Sequence, residues 1–190
     1  MDDLFIIDCG DFFLREFTIE DADAIVEITS QPEVYHFLPD WRTTKEQRTF
    51  YLTEYELPSN RAFLSSLPHI EGINPFHGML KLAIIHKISN KMIGFVCTGI
   101  KDELLAPNRE IAYAISTDYR NQGYMTRAVK SLLDFLFMET DIELMNALAL
   151  PENIRSNRVI QKNGFTYLDD IEIENRVYHH YVLHKRDWNY

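Results

Sequence analysis

The stretch REIAYAISTDYRNQGYMTRAVKSLL, residues 109–133, decides the fold because its periodicity changes once, around a single glycine. Its first seven residues are rich in β-branched and aromatic side chains, which is typical of a strand. From Thr126 onward the apolar residues recur at helical spacing, and these residues are Ala128, Val129, Leu132, Leu133 and Leu136. The stretch therefore predicts a strand, a tight turn and a core-facing helix, in that order.

The turn between this strand and this helix predicts an anion site. The first N–H groups of a helix have no partner within it, and the helix dipole adds partial positive charge there. Gly123 has no side chain to obstruct a ligand that approaches the backbone. We expect a phosphate group to bind here, although a plain helix entry gives the same pattern, and neither a GxxxxGK[ST] loop nor a GxGxxG fingerprint is present.

The N-terminal half predicts a strand, two helices and a long loop. Residues 12–17 form the strand candidate. Two pairs have the spacing of a helix N-terminal capping box, and they are Thr18 with Asp21 and Thr44 with Gln47. Residues 57–78 contain three prolines and two glycines, and this composition predicts a loop.

The C-terminal half predicts mostly strands. Two β-rich runs joined by residues 89–91 indicate a hairpin, and residues 109–115 add a third antiparallel strand. Residues 144–150 form a short buried strand, and the helix after it ends at Gly164, a residue type favoured just past a helix C-terminus. The chain closes with a second hairpin that turns at Glu174 and Asn175.

Composition limits the function. With 190 residues, 46% of them hydrophobic, the chain is long enough for one domain that spans residues 1–190. The formal net charge of −10 argues against a nucleic-acid partner and favours a basic or amine-bearing one. Cys9 and Cys97 form no CxxC pair, and no run approaches the length of a membrane span. We expect a cytoplasmic protein with no membrane partner.

Two motifs together resemble a known family. RNQGYMT (residues 120–126) and NIRSNRVIQKNGF (residues 153–165) are similar to the acetyl-CoA signature of the GNAT N-acetyltransferase superfamily, in the branch of the RimJ/RimL-like ribosomal-protein N-terminal acetyltransferases. The family pattern is arginine or glutamine, two residues, glycine, one residue, then glycine or alanine. Arg120, Gly123 and Met125 stand at these places, and only Met125 departs.

The resemblance implies an α/β (α+β) fold: a single GNAT domain whose central mixed, mostly antiparallel sheet is splayed and flanked by helices. It also implies acetyl-CoA as co-substrate and no metal. The implied cofactor-binding residues are Ala114, Ile115, Ser116, Arg120, Asn121, Gln122, Gly123, Tyr124, Met125, Thr126, Asn153 and Ser156. Tyr124 either shields the cofactor or packs in the core. The histidines at 179, 180 and 184 give no zinc pattern, since no carboxylate or thiolate partner is identifiable.

Acyl transfer to an amine needs a base, a polarised carbonyl and a proton donor for the departing thiolate. Glu110, at the start of the strand before the phosphate turn, is the implied base; the alternative is a solvated charge at a strand end. Many relatives use a tyrosine as acid where this chain has Ile160, and the resemblance points instead to Ser156 near the sulfur. Asn153 is expected to orient the cofactor, unless Asn153 and Ser156 are only helix caps.

The acceptor side is the least determined. We expect it to involve the first two helices and the 57–78 loop, with four aromatic candidates that are alternatively core residues: Tyr35, His36, Phe37 and Trp41. The acceptor is either a protein N-terminal α-amine or a small amine. A non-catalytic acyl-CoA sensor and a scaffold without cofactor remain alternatives, and the protein is a monomer or a homodimer.

Overall fold

An eight-stranded sheet runs through the part of the chain that the computed structural model describes, residues 4–71 and 78–189. Its strands are β1 (Ile6–Asp8), β2 (Phe12–Glu16), β3 (Leu80–His86), β4 (Lys91–Ile100), β5 (Arg109–Ile115), β6 (Leu144–Ala149), β7 (Thr166–Ile173) and β8 (Arg176–His184). Their order across the sheet is β1-β2-β3-β4-β5-β6-β8-β7. Only the neighbours β5 and β6 run parallel among these strands, so the predicted mixed and mostly antiparallel sheet is confirmed.

Within the described residues, six α-helices flank the sheet: α1 (Ala22–Thr29), α2 (Pro32–Tyr35), α3 (Lys45–Tyr51), α4 (Leu57–Ser65), α5 (Tyr124–Glu139) and α6 (Ile154–Lys162). A π-helical turn, Leu52–Glu56, joins α3 to α4. Within the described ranges, no helix has the length and apolar character to cross a membrane. The short elements β1 and α2 were missing from the sequence prediction.

Both predicted capping boxes are present. The backbone N–H of Gln47 donates to Thr44 Oγ1 at 3.2 Å, and the N–H of Thr44 donates back to Gln47 Oε1 at 2.9 Å, at the start of α3. The N–H of Thr18 donates to Asp21 Oδ2 at 2.7 Å, where a short 3-10 turn leads into α1. Each box satisfies N–H groups that a helix start leaves without partners.

The prediction of a loop over residues 57–78 is wrong for its first part, because residues 57–65 form α4. Pro58 lies in the first turn of this helix, directly after the π-helical turn. Asn60 is buried and pairs with both backbone groups of Lys81 in β3, at 2.8 Å each. The polar residues that resembled a loop thus join a helix to the sheet. Residues 72–77 lie outside the described residues.

The sheet divides between β5 and β6. These strands share one register pair, Glu110 opposite Asn146, whereas β5 stays paired with β4 along its whole length. The Asn146 side-chain amide closes the junction, since it donates to the carbonyls of Pro107 and Arg109 at 3.0 Å each. Beyond this junction the two strands diverge, and the gap opens at their carboxyl ends.

Side-chain alternation gives β5 two different faces. Ile111, Tyr113 and Ile115 belong to the core cluster that α5 covers. Ala114 belongs to the second cluster, on the side of α1. Glu110 shares the face of Ala114 by this alternation, so Glu110 and Tyr113 approach the gap from opposite sides of the sheet.

Candidate active site

The backbone enters α5 through a left-handed turn. Asn121 has φ of 61° and Gly123 has φ of 80°, a region that favours glycine. Open space surrounds the position that a Cβ on Gly123 would take. The N–H groups of Tyr124, Met125 and Thr126 have no acceptor among the described residues. These three N–H groups can therefore bind an anion, as the sequence predicts.

One cavity of about 650 Å³ connects this turn to the gap between β5 and β6. Ten of the twelve predicted cofactor residues line it: Ala114, Ile115, Arg120, Asn121, Gly123, Tyr124, Met125, Thr126, Asn153 and Ser156. The other two, Ser116 and Gln122, do not. The Gln122 side chain donates instead to the carbonyl of Asp118 at 3.2 Å, within the same loop.

Ser116 has a structural contact with the N-terminal half. Its hydroxyl accepts from the Gln31 side-chain amide at 3.1 Å, and the carbonyl of the same amide accepts from the N–H of Thr117 at 2.8 Å. Gln31 immediately precedes α2. This two-point contact fixes α2 against the loop that leads into the anion site.

Met125, which stands where the family pattern has glycine or alanine, still leaves its backbone N–H available to a ligand. The Met125 side chain is buried at 6% exposure and packs in the core under α5, while its N–H remains without an acceptor in the described chain. Tyr124 is also buried, with an edge-to-face contact to Phe12 at 5.7 Å. Packing is thus established for both residues, and both also border the cavity.

The donor end of the cavity is basic. Arg120, Arg155, Arg158 and Lys162 line it, and none of them forms an ion pair within 4 Å to any residue of the described ranges. Burial lowers the pKa of Arg120 from its usual value, and repulsion from Arg155 lowers it further. Two like charges held close together without an anion between them favour a phosphate ligand.

Glu110 lies where the sheet divides, and it lines the same cavity. Burial raises the pKa of the Glu110 carboxyl to about 7. Lys101 opposes this effect, but that ammonium is already bound to Glu103 at 2.9 Å. A carboxyl with a pKa near neutrality can take up or release a proton at physiological pH, as a general base requires.

Asn153 and Ser156 stand at the start of α6. Asn153 Oδ1 accepts from the Ser156 N–H at 3.3 Å, so its role as the α6 N-cap is present in the structure. The Ser156 hydroxyl lies 2.9 Å from the phenolic oxygen of Tyr113, which also lines the cavity. Sequence reasoning missed Tyr113. The alternation of REIAYAI reveals its face, but not a partner 43 residues away.

Two of the four predicted acceptor aromatics, Phe37 and Trp41, line the cavity, whereas Tyr35 and His36 do not. None of the described residues from the predicted 57–78 loop lines it either. Tyr178, from the β7–β8 hairpin, is a cavity residue that the sequence did not reveal. The half of the cavity where we expect the acceptor is thus lined by α2, the turn after it and the last hairpin.

A buried charge group holds Trp41 in place. Its ring stacks on Phe95, with ring centres 4.5 Å apart and planes at 19°. Lys81 Nζ lies 4.5 Å from the centre of the Trp41 ring and binds Glu56 Oε1 at 2.6 Å. Arg48 binds the same Glu56 oxygen at 2.9 Å. One buried carboxylate thus holds two buried cations beneath the acceptor half.

His179 and His180 of β8 form hydrogen bonds to side chains of the protein. His180 is buried between Asp169 and Asn146, at 3.0 and 2.9 Å, and His179 contacts Asn157 at 3.1 Å. Within residues 4–71 and 78–189, no three His, Cys, Asp or Glu side chains are grouped so as to hold a metal ion. Cys9 and Cys97 are both free thiols.

Comparisons with known proteins agree with this geometry. A family described as "Acetyltransferase (GNAT) domain" matches residues 11–166. The chain is 26% identical to an uncharacterized N-acetyltransferase, YnaD of Bacillus subtilis, over 80% of this chain and 76% of that protein. The solved structure of RimL, a ribosomal L7/L12 alpha-N-protein acetyltransferase, has a TM-score of 0.72 at 17% identity, covering 95% and 94% of the two chains. AAC(6')-Ib in complex with paromomycin and acetyl-CoA has a TM-score of 0.70 at 14% identity, covering 94% and 96%.

Proposed function

Because the chain belongs to the GNAT acetyltransferase family, and is therefore an acyltransferase, we propose that it transfers the acetyl group of acetyl-CoA directly to a primary amine. The observation that carries this proposal is that a single cavity joins the free N–H groups of α5 to Glu110 and Ser156. The anion site can bind the acyl donor, and the carboxyl within the cavity can act as the base.

The donor binds, in this proposal, with its pyrophosphate on the α5 N-terminus. The N–H groups of residues 124–126 and the α5 dipole supply the main attraction. Arg120 and Arg155 add positive charge, and neither forms an ion pair within 4 Å to a described residue, although Glu33 attracts Arg120 at longer range. The pantetheine arm then extends toward the gap between β5 and β6, with Asn153 and Ser156 beside it.

Glu110 is the proposed base. Its carboxyl, with a pKa of about 7, is ionised in a large share of molecules at neutral pH. It can accept a proton from the acceptor ammonium or from the attacking amine, directly or through one water. Nitrogen attack forms the C–N bond as the C–S bond breaks, and the sulfur leaves with the electron pair of that bond.

Ser156 is the proposed hydrogen-bond donor to the departing sulfur. The family tyrosine is replaced by Ile160, which is 1% exposed and carries no hydroxyl. Ser156 lies one helical turn before it on α6 and reaches the cavity. The sulfur is stabilised as a thiolate and takes its proton from solvent on release.

The proposed acceptor is an amine, because the lining of the cavity suits a positive charge. Five carboxylates line the cavity, Glu33, Asp40, Glu103, Glu110 and Glu174. Those on α2, on the turn after it and on the last hairpin favour a positively charged amine there. RimL acts on a protein N-terminus by its description, and AAC(6')-Ib binds paromomycin. Both acceptor kinds, a protein α-amine and a small-molecule amine, are therefore included in the proposal.

The proposal is tested in two steps. Calorimetry measures acetyl-CoA binding, with desulfo-CoA as a probe that lacks the thiol. A thiol-release assay then compares N-terminal peptides, spermidine, an aminoglycoside and free amino acids, and mass spectrometry identifies the acetylated product. We expect binding together with amine-dependent thiol release. Binding without release from any amine would indicate the acyl-CoA sensor, and no binding at all would indicate a scaffold.

We also propose that residues 1–190 form one domain in the cytoplasm, as a monomer or a homodimer. The free cysteines agree with a reducing compartment. Light scattering of the purified protein distinguishes the two oligomeric states, and limited proteolysis that leaves one stable core would support one domain.

A further inference from the structure

The hydroxyl of Ser156 contacts a side chain of the sheet. Hydroxyls within helices commonly donate back to the carbonyl four residues earlier, but Ser156 is the third residue of α6, so that carbonyl lies before the start of its helix. Ser156 makes no such bond in the described chain, and the side chain that its hydroxyl contacts is Tyr113. The orientation of this hydroxyl is thus set by β5 rather than by its own helix.

Tyr113 can act as the donor in this pair. Burial raises the pKa of the Tyr113 phenol above its usual value, so the phenol stays neutral and keeps its hydrogen. Two acceptors lie within reach, Ser156 Oγ at 2.9 Å and the Ser156 carbonyl at 3.2 Å. The carbonyl already accepts the helical hydrogen bond from the following turn of α6, and the hydroxyl oxygen is the nearer acceptor.

The local surroundings leave few alternatives. Asn153 Oδ1 is occupied by the N–H of Ser156, at 3.3 Å. Ile160, one turn further along α6, offers no polar atom. If the phenol donates to Ser156 Oγ, the hydrogen of Ser156 is left to point into the cavity, where the acyl donor's sulfur is expected.

We propose that Tyr113 is a positioning residue, which donates its hydrogen to Ser156 Oγ and so directs the Ser156 hydroxyl hydrogen toward the sulfur of the acyl donor. This inference rests on the proposed function. It assigns to a strand residue part of the role that a helix tyrosine has in relatives. Tyr113 itself exchanges no proton with the substrate; the nitrogen proton goes to Glu110, and the thiolate accepts a hydrogen bond from Ser156.

A double-mutant cycle tests the pair. The variants are Tyr113→Phe, Ser156→Ala and the two combined, and the readout is thiol release in a single turnover, with the enzyme in excess over acetyl-CoA at a concentration that binds all of it. Loss of one hydrogen bond predicts that Tyr113→Phe is about five- to tenfold slower than the natural enzyme. Ser156→Ala is slower by at least as much, and the double variant is no slower than Ser156→Ala.

Two further readouts separate positioning from structural damage. The calorimetric affinity for acetyl-CoA stays within about twofold in all variants, because the lost hydroxyl acts on the departing sulfur and not on the bound ground state. Tyr55→Phe, an exposed tyrosine outside the cavity, is the matched control and keeps the natural rate. The pH dependence assigned to Glu110 is retained in Tyr113→Phe.

Two results overturn the inference while leaving the proposed function intact. One is an unchanged single-turnover rate in Tyr113→Phe, and the other is a double variant whose losses multiply. A natural protein that binds acetyl-CoA and releases no thiol with any amine contradicts the proposed function, and the role of Tyr113 with it.

Discussion

Replacement of Glu110 by glutamine is expected to make the protein more stable at alkaline pH and less active. Burial raises the pKa of Glu110 from 4.5 to about 7, and each unit of difference corresponds to about 1.36 kcal/mol. The full difference is about 3 kcal/mol. Because the carboxyl borders an open cavity, solvent screening reduces this value, and we expect about 2 kcal/mol.

The sign follows from proton linkage. The folded state holds the Glu110 proton to higher pH than the unfolded chain does. Stability from this group is therefore fully present below about pH 4.5 and is lost as the pH rises through about 7. The glutamine variant has no carboxyl to ionise and does not lose this stability. Between about pH 4.5 and about pH 7, its free energy of unfolding relative to the natural protein therefore rises by about 2 kcal/mol, or about 4–8 °C in Tm.

Thermal unfolding followed by circular dichroism, at several values from about pH 4 to about pH 8, measures this difference. Activity gives the second readout: kcat/KM of the natural enzyme rises through about pH 7, and Glu110→Gln loses this limb and about a hundredfold in rate. Glu139→Gln, an exposed carboxylate outside the cavity, is the matched control. Parallel stability curves for Glu110→Gln and the natural protein, or a retained limb near pH 7, would refute the reasoning.

Two other substitutions test the anion site, and a third tests the buried charge group beneath Trp41. Gly123→Ala forces a side chain into φ of 80° and should lower both acetyl-CoA affinity and stability, the latter by about 1 kcal/mol. Gly10→Ala, at φ of 90° and outside the cavity lining, should lower stability alone. Calorimetry and thermal unfolding separate the two effects. Arg120→Ala should weaken acetyl-CoA binding about tenfold and flatten its salt dependence, and an unchanged salt slope in calorimetry would contradict a phosphate contact. Glu56→Gln leaves Lys81 and a buried arginine without their anion and should cost about 3 kcal/mol in urea unfolding, with a loss below 1 kcal/mol counting against the charge group.

Local signals in the sequence were sufficient for most of the fold. The capping pairs at α1 and α3, the glycine before α5 and the positive-φ turn at Glu174 and Asn175 each act over a few residues, so their outcome does not depend on distant contacts. The helix α4 was missed for the opposite reason. Asn60 and Pro58 favour loops locally, and α4 forms because Asn60 bonds to β3, which lies about twenty residues further along the chain.

In the candidate site, too, local signals were predictable and contacts between distant residues were not. The candidate anion-binding turn is contiguous in sequence, and most of the residues predicted for it line the cavity. The pairing of Tyr113 with Ser156 and the position of Tyr178 depend on how β5, α6 and the last hairpin meet, and no spacing rule relates them. When a cavity is lined by segments that are distant in sequence, only a segment with a recognisable motif can be predicted from the sequence alone.

The single register pair between β5 and β6 has a consequence for the local stability of the sheet in solution. The sheet consists of a five-stranded part and a three-stranded part, β6 to β8, joined at Glu110 and Asn146. A cofactor bound between them would form hydrogen bonds to both parts through its amides, and would connect the two parts for as long as it stays bound. Amide hydrogen exchange in β6 and α6 should then slow when acetyl-CoA is added, while β3 and β4, paired along their length, should change little.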